Sequence, residues 1–413
     1  MNAEPMDGAA PVVIVGAGQA GFSTAAKLRD FGHAGPIALI GEEASPPYQR
    51  PPLSKAYLLG EMSEDRLLLK PSSFYAQKDI ELLLSARVER IDRRSREVVL
   101  ADGRAFPYAR LVLATGARPK TLPAAIGGEL DGVYAIRTIR DIAAMSGAFR
   151  PGRRALVVGG GYVGLEAAAV ASKLGLDVTL IEAGPRILGR VAAAETSTFF
   201  RELHRSHGVD LREATTLASL GGAHGRIDHA TLGDGARIAV DFAIVGIGVQ
   251  PNVELAVAAG LETDDGVLVD AHLATSDPLI FAVGDCASFL WRGQRIRLES
   301  VGNAIDQGEA AAASILGRSE GFAAKPWFWS DQFDVKLQIA GLSSGYDRVV
   351  TRPGAGAARS FWYYRGEELL AVDAVNDGRV YMVAKRLIEA GRSPSPELVV
   401  HADDPKALMA GPA

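Results

Sequence analysis

Short, wholly apolar runs alternate with Ala- and Gly-rich stretches over the first two-thirds of the chain. That pattern predicts parallel strands, buried on both faces, joined by helices. Val12–Val15 and Ile37–Ile40 flank one Ala-rich stretch, and the runs at 155–158 and 178–181 flank another. Arg110-Leu-Val-Leu-Ala-Thr-Gly-Ala117 reads as a buried strand entering a small-residue turn, which ends the first unit. Phe242-Ala-Ile-Val-Gly-Ile-Gly-Val-Gln-Pro251 marks the close of the second, and Leu279-Ile-Phe-Ala-Val-Gly-Asp285 returns the chain to the first. From about Lys325 the pattern changes. The runs at 335–339, 348–351, 360–364 and 369–375 are short, aromatic or β-branched and bounded by turns, which predicts an antiparallel sheet. A helix over 380–390 follows, stopped by Gly391 and Pro394.

Two of the apolar runs lead into the same glycine spacing. Gly16-Ala-Gly18-Gln-Ala-Gly21 follows the first, and Gly159-Gly-Gly161-Tyr-Val-Gly164 recurs 143 residues later, a duplicated fold rather than a solenoid repeat. A lone G-x-G-x-x-G is weak evidence. Here strand, turn, helix, strand and carboxylate occur in order twice, with Glu42 ending the first copy and Glu182 the second. In such a turn the first glycine bends the chain, the second lets backbone approach a pyrophosphate, and the third lets helix pack on strand. The carboxylate takes the ribose hydroxyls, and Glu43 beside Glu42 is a weaker candidate. The fold class expected is α/β: two doubly wound Rossmann-like dinucleotide-binding domains, as in glutathione reductase, plus a C-terminal α+β domain. The boundaries expected are 1–116 with 242–324 for the first, 117–241 for the second and 325–413 for the third.

Composition then removes alternatives. A net charge of −5 over 413 residues argues against nucleic acid as the main partner. No apolar stretch reaches membrane-spanning length, and the start, residues 1–11, reads as a frayed tail without the basic and apolar regions of an export signal. One cysteine, Cys286, excludes an internal disulfide framework and fits a reducing, cytoplasmic setting. It also excludes an internal thiol–disulfide relay, and the stretch Pro46-Pro-Tyr-Gln-Arg-Pro-Pro-Leu after the first fingerprint unit holds no sulfur. The histidines form no ligand set; His204 and His207 stand at helical spacing on a charged stretch and read as solvated. No metal site is expected.

Arg50-Pro-Pro-Leu-Ser-Lys55, Ala114-Thr115-Gly116, Gly159–Gly164, Gly284-Asp285 and Trp327-Phe-Trp-Ser-Asp-Gln332 carry a resemblance covering residues 12 to about 409. The chain resembles the FAD-dependent NADH:ferredoxin reductases of bacterial oxygenase systems, of the putidaredoxin-reductase and biphenyl-dioxygenase-reductase type. It is more distantly similar to apoptosis-inducing factor. The resemblance implies FAD on the first fingerprint, held by Gly16, Gly18, Ala20, Gly21, Glu42, Arg50, Lys55 and Val88. Ala114, Thr115, Gly116, Arg137, Gly284, Asp285, Val301 and Trp329 complete that set. It implies NADH on Gly159, Gly161, Tyr162, Val163, Gly164, Glu166, Glu182, Arg190 and Gly248.

Glu166 sits in an apolar run, so it is either paired for packing or placed for function. In the relatives the residues matching Lys55 and Glu166 position the nicotinamide and flavin, with no covalent role. The partner implied is a [2Fe–2S] ferredoxin docking near Trp329, Lys385 and Lys406 on a monomer, and serving a cytochrome P450. One departure is that Asp306-Gln-Gly-Glu309 lacks a basic residue used for docking in the P450 type, and residues from 326 onward balance 10 Lys and Arg against 11 Asp and Glu. The alternatives are the reductase of a Rieske dioxygenase, an apoptosis-inducing-factor-like protein whose NADH-bound state controls partner binding, and an NADH oxidase or rubredoxin-type reductase.

A 2′-phosphate placed beside Glu182 faces a like charge worth several kcal/mol, and about 1.4 kcal/mol is a factor of ten. Arg186 and Arg190 stand near enough in sequence to soften that repulsion. The expected outcome is a kcat/KM for NADH at least ~10²-fold above that for NADPH; equal values would overturn the role given to Glu182.

Overall fold

The computed structural model describes residues 9–409, so residues 1–8 of the expected tail lie outside the described residues. The first sheet orders its five strands Ile280–Ala282, Arg110–Leu113, Val12–Val15, Ile37–Ile40, Ile80–Leu83, all parallel. The second runs Asp210–Arg212, Asp177–Ile181, Arg154–Val158, Phe242–Val245, Val133–Tyr134, again all parallel. In both, the fingerprint strand is central and its four or five residues are almost wholly buried. Apolar runs of this kind suit a sheet covered on both faces. Helix Gln19–Asp30 follows the first fingerprint and helix Tyr162–Lys173 the second.

The described residues fall into two compact units. One comprises the chain up to Gln49, Ser63–Arg118 and Val249–Lys325; the other comprises Arg50–Met62, Pro119–Gly248 and the chain from Pro326 on. Phe242–Val245 hydrogen-bonds within the second sheet, so the boundary expected at 242 moves past that strand. Its four residues are all buried, and a central place beside Arg154–Val158 satisfies their backbone groups. The segment Arg50–Met62 groups with the second unit, which the sequence pattern did not suggest.

Each unit also carries a three-stranded antiparallel sheet that the apolar pattern did not announce. In the first unit it is Val88–Asp92, Glu97–Leu100 and Ala105–Pro107; in the second, Leu217–Ala223, Arg226–Leu232 and Arg237–Ala239. Their strands are short, half-exposed and interrupted by register shifts, which blurs the alternation a reader looks for. The C-terminal sheet is antiparallel as expected, in the order Trp327–Gln332, Val335–Gly341, Glu368–Val375, Arg359–Arg365, Arg348–Pro353. Helix Gly378–Glu389 packs on it, capped by the Asp377 side chain accepting from the Val380 N–H. Val335, Leu337, Phe361 and Tyr363 of this sheet join Leu165, Leu180, Phe200 and Phe242 in one core cluster.

A buried carboxylate stands in that seam. Asp373 accepts from Thr196 Oγ1 at 2.7 Å and from the Tyr363 hydroxyl, which itself accepts from the Ala193 N–H at 3.0 Å. Burial pushes Asp373 up to about 6, outweighing the two hydroxyl donors that pull it down. A carboxyl that holds its proton more tightly folded than unfolded favours the folded state below about pH 4 and loses that contribution as pH rises through 6. Asp373→Asn, which keeps an acceptor for both hydroxyls, therefore removes a stabilising trend on acidification worth about 3 kcal/mol. Between pH 6.5 and 4 its melting temperature should fall more steeply than that of the parent; parallel curves would refute the assignment.

Candidate functional site

The two fingerprints repeat one steric arrangement. Gly16 and Gly159 have φ of +114° and +109°, a region that favours glycine, and an added Cβ would lie 2.1 Å from the Ala114 carbonyl oxygen or 2.4 Å from that of Gly246. Gly21 and Gly164 press on the first glycine's carbonyl: a Cβ there would stand 2.0 or 2.1 Å from it. The middle glycines differ. A Cβ on Gly18 or Gly161 would meet nothing within 4 Å. Both are the N-caps of twelve-residue helices, in extended conformation, and neither supplies a side chain to the first-turn N–H groups. Each nest thus offers free amides, the positive end of a helix dipole and open space on one side, which fits a dinucleotide pyrophosphate.

In the first unit, Ala114, Thr115 and Gly116 form the turn after Arg110–Leu113. Thr115 and Asn252 lock it reciprocally, Thr115 Oγ1 donating to the Asn252 carbonyl at 2.7 Å and Asn252 Nδ2 to the Thr115 carbonyl at 2.8 Å. Gly284, with φ +75°, packs close to Ala20, and its N–H donates to buried Gln307 Oε1 at 2.7 Å. Gln307 thereby fixes the Gly284-Asp285 turn, a role invisible in the sequence. Val301 begins helix Val301–Ile315, capped by Ser300, and Val88 begins a strand of the small sheet. Glu42 is exposed, with Arg87 at 3.5 Å, whereas Glu43 accepts from the Tyr48 hydroxyl at 2.6 Å. Cys286 is fully buried against the Leu113 and Val283 carbonyls, and burial pushes its thiol up, the inert kind of cysteine.

In the second unit, Glu182 is held by two backbone donors, Gly160 N–H to Oε2 and Gly184 N–H to Oε1, both at 2.7 Å. The Arg186 guanidinium donates to Ser197 Oγ at 2.6 Å. Arg190 does come near Gly248, whose Cβ would stand 3.5 Å from a guanidinium nitrogen. Tyr162 rests on Phe328 with ring centroids 4.8 Å apart, and Val163 is exposed. Arg50 and Arg137 are brought together, Arg50 Nη1 donating to the Arg137 carbonyl at 2.7 Å. Trp327 and Trp329 stack at 5.6 Å on the same face of their strand. Lys385 is paired with Glu389 at 2.8 Å, and Lys406 lies exposed in the short 3₁₀ turn Pro405–Met409.

Glu166 is the centre of this unit's buried polar chemistry. It is 3% exposed, and its Oε2 receives Lys55 Nζ at 2.7 Å and Ser54 Oγ at 2.6 Å. Its Oε1 receives Ser330 Oγ at 2.6 Å. Ser54 and Ser330 were missed by sequence reasoning; both lie in motifs quoted for the resemblance, but nothing local marks them as donors. His204 corrects an expectation. It is fully buried rather than solvated, with Nε2 2.9 Å from Gln332 Oε1, while His207 stacks on Phe333 at the surface. The helical spacing was right, but a charged helix also has an inward face, and His204 is on it. Among the described residues no cluster suits a metal ion.

Two glycine nests and one buried lysine–glutamate pair define an oxidoreductase that uses two dinucleotides. Residues 10–308 match the pyridine nucleotide-disulphide oxidoreductase family and 327–409 the reductase C-terminal family, and the chain belongs to the former, with FAD and NAD(H) as its cofactors. It is 46% identical to a ferredoxin–NAD(P)+ reductase of Sphingomonas sp. over 92% of each chain. It matches putidaredoxin reductase in its covalent complex with putidaredoxin at TM-score 0.94 and 41% identity, over 97% of this chain and 98% of that one. The ferredoxin reductase for the CYP199A2 system of Rhodopseudomonas palustris follows at TM-score 0.93 and 39% identity, covering 96% and 99%.

Because the middle glycines have room for a methyl group in the protein itself, replacing them separates binding from folding. Gly161→Ala should change stability by less than about 1 kcal/mol and weaken NAD+ binding in a calorimetric titration by tenfold or more. Gly159→Ala, with its carbonyl clash, should prevent folding. Unchanged NAD+ affinity in Gly161→Ala would refute the nest.

Proposed function

We propose that the chain is an NADH-dependent ferredoxin reductase supplying a [2Fe–2S] ferredoxin that serves a cytochrome P450. The observation that carries this reading is the full-length likeness to reductases named for a ferredoxin or putidaredoxin acceptor, in a chain whose one cysteine is buried. Without a thiol pair to relay them, electrons leave to an external acceptor. Bound FAD supplies the conversion between the electron pair of a hydride and the single electrons an iron–sulfur cluster takes.

The protein's part is placement. The amides of the first nest hold the FAD pyrophosphate, and Glu42 its ribose. Asp285, Val301 and the turn 114–116 line the same unit. The second nest and Glu182 hold NADH, with Arg190 and Gly248 beside it. Lys55 and Glu166 orient the nicotinamide for transfer, a positional contribution that requires no covalent bond to the protein. Trp329 and its stacked neighbour Trp327 offer an aromatic patch for the ferredoxin. Lys406 is the freer of the two docking lysines, because Lys385 already has Glu389.

One observation keeps the Rieske-dioxygenase branch as the second reading. The stretch Asp306-Gln-Gly-Glu309 lacks the basic residue used for docking in the P450 type, and its Glu309 pairs with Lys27 at 2.8 Å. The likeness to the reductase of the CYP199A2 system supports the P450 branch. The protein works as a cytoplasmic monomer in this reading, and among the described residues no helix is long and apolar enough to cross a membrane.

NADH-driven reduction of ferredoxins encoded near the gene, followed by reconstitution with a P450 or a Rieske oxygenase, decides between the branches. Glu166→Gln should slow flavin reduction by NADH about tenfold or more while FAD stays bound. A rate equal to the parent's would remove Glu166 from the reaction.

A further inference from the structure

The ion pair accounts for only one oxygen of Glu166. The other is held by a line of side chains that the reading above does not use. Ser330 Oγ donates to Glu166 Oε1 at 2.6 Å, Gln332 Nε2 donates to Ser330 Oγ at 3.1 Å, and His204 Nε2 faces Gln332 Oε1 at 2.9 Å. We propose that Ser330, Gln332 and His204 are positioning residues for Glu166, a buried row of donors that fixes where its carboxylate stands. This rests on the reading of Glu166 as the residue that orients the nicotinamide.

The direction of every bond in the row follows from valence. The Gln332 carbonyl oxygen only accepts, so His204 Nε2 carries the proton and donates. The Gln332 amide then donates to Ser330, whose hydroxyl proton is free to go to the carboxylate. All three bonds point toward Glu166, and aligned bonds of this kind polarise and strengthen one another in a low dielectric. Ser330, Gln332 and His204 are each fully buried, so water does not compete.

The far end keeps the row in one state. His204 Nδ1 is buried without a hydrogen-bond partner, and Phe333 meets the ring edge-on at 5.0 Å. A second proton there would be an unsatisfied buried donor, which fixes the tautomer that donates through Nε2. Burial accordingly holds His204 low, at about 4, with His207 lowering it further and the Gln332 bond opposing.

The row is drawn from three elements, helix Ala194–Ser206, strand Trp327–Gln332 and helix Tyr162–Lys173. Ser54, from the turn Pro51–Ser54, closes the arrangement on the other oxygen. Three fixed donors, Lys55, Ser54 and Ser330, leave the carboxylate little freedom to rotate, so the row acts on Glu166 by holding its angle as well as its charge.

Two measurements test this on the FAD-bound protein: the Kd for NAD+ by calorimetry of the oxidised form, and the rate of flavin reduction by NADH in stopped flow. Ser330→Ala should weaken NAD+ binding and slow reduction about tenfold each, the size of losing one hydrogen bond to a charged group. Ser330→Thr, which restores the hydroxyl, should return both to within about twofold. His204→Leu should move both in the same direction by a smaller factor, and His204→Gln, whose amide can donate to Gln332, should rescue them. A Ser330→Ala protein with a lower melting temperature but parental Kd and reduction rate would show a purely structural role and overturn the proposal. Glu166→Gln is the control: if it changes neither quantity, the reading of Glu166 itself fails, whereas an effect there with none in Ser330→Ala defeats the row alone.

Discussion

Each dinucleotide fold is held in shape by the absence of one side chain. Gly21 and Gly164 let a helix backbone lie against the carbonyl of the glycine that opens the same turn, so closely that a single methyl group would overlap it. That approach sets the angle between strand and helix, and with it the direction in which the helix's first amides point. The open middle glycine that starts each helix and, in the second copy, the helix backbone that carries Glu166 take their positions from this one contact. A wider approach would still give a parallel sheet, but the amides would no longer converge.

The sequence made much of this legible, because the relevant residues are local. Strand, turn, helix and strand occupy some thirty consecutive residues in each copy, and the apolar runs that become central strands have no polar interruption. The C-terminal sheet was readable for the same reason, from runs of aromatic and β-branched residues between turns. The small three-stranded sheets were not, since Val88–Asp92 and Leu217–Ala223 mix exposed and buried positions irregularly and shift register within themselves.

The buried polar chemistry was the least legible part. Glu166 could be flagged, since a glutamate in an Ala-rich run requires a partner, and the resemblance supplied Lys55. Ser54, Ser330 and Gln332 could not be, because their meaning depends on distances across 112 or more residues of chain. His204 was misjudged for a related reason: its neighbours Arg201, Glu202 and Arg205 advertise a wet surface, and only the packing of the helix reveals which side of it His204 occupies. Asp373 belongs to the same class, a charge in the middle of an apolar strand whose two hydroxyl partners come from elsewhere. Local pattern records which groups are buried, and tertiary structure alone records what satisfies them.

Strand Trp327–Gln332 presents the tryptophans on one side and Ser330 with Gln332 on the other, by simple alternation. The residues that would greet an electron acceptor and those that steady the carboxylate are therefore threaded on a single backbone, and neither set can drift without the other. A one-residue slip of this strand against Val335–Gly341 would turn the whole strand over. Indole would then be driven into the polar interior, and the hydroxyl and amide would be left facing out. Register within this strand is accordingly held by both faces at once.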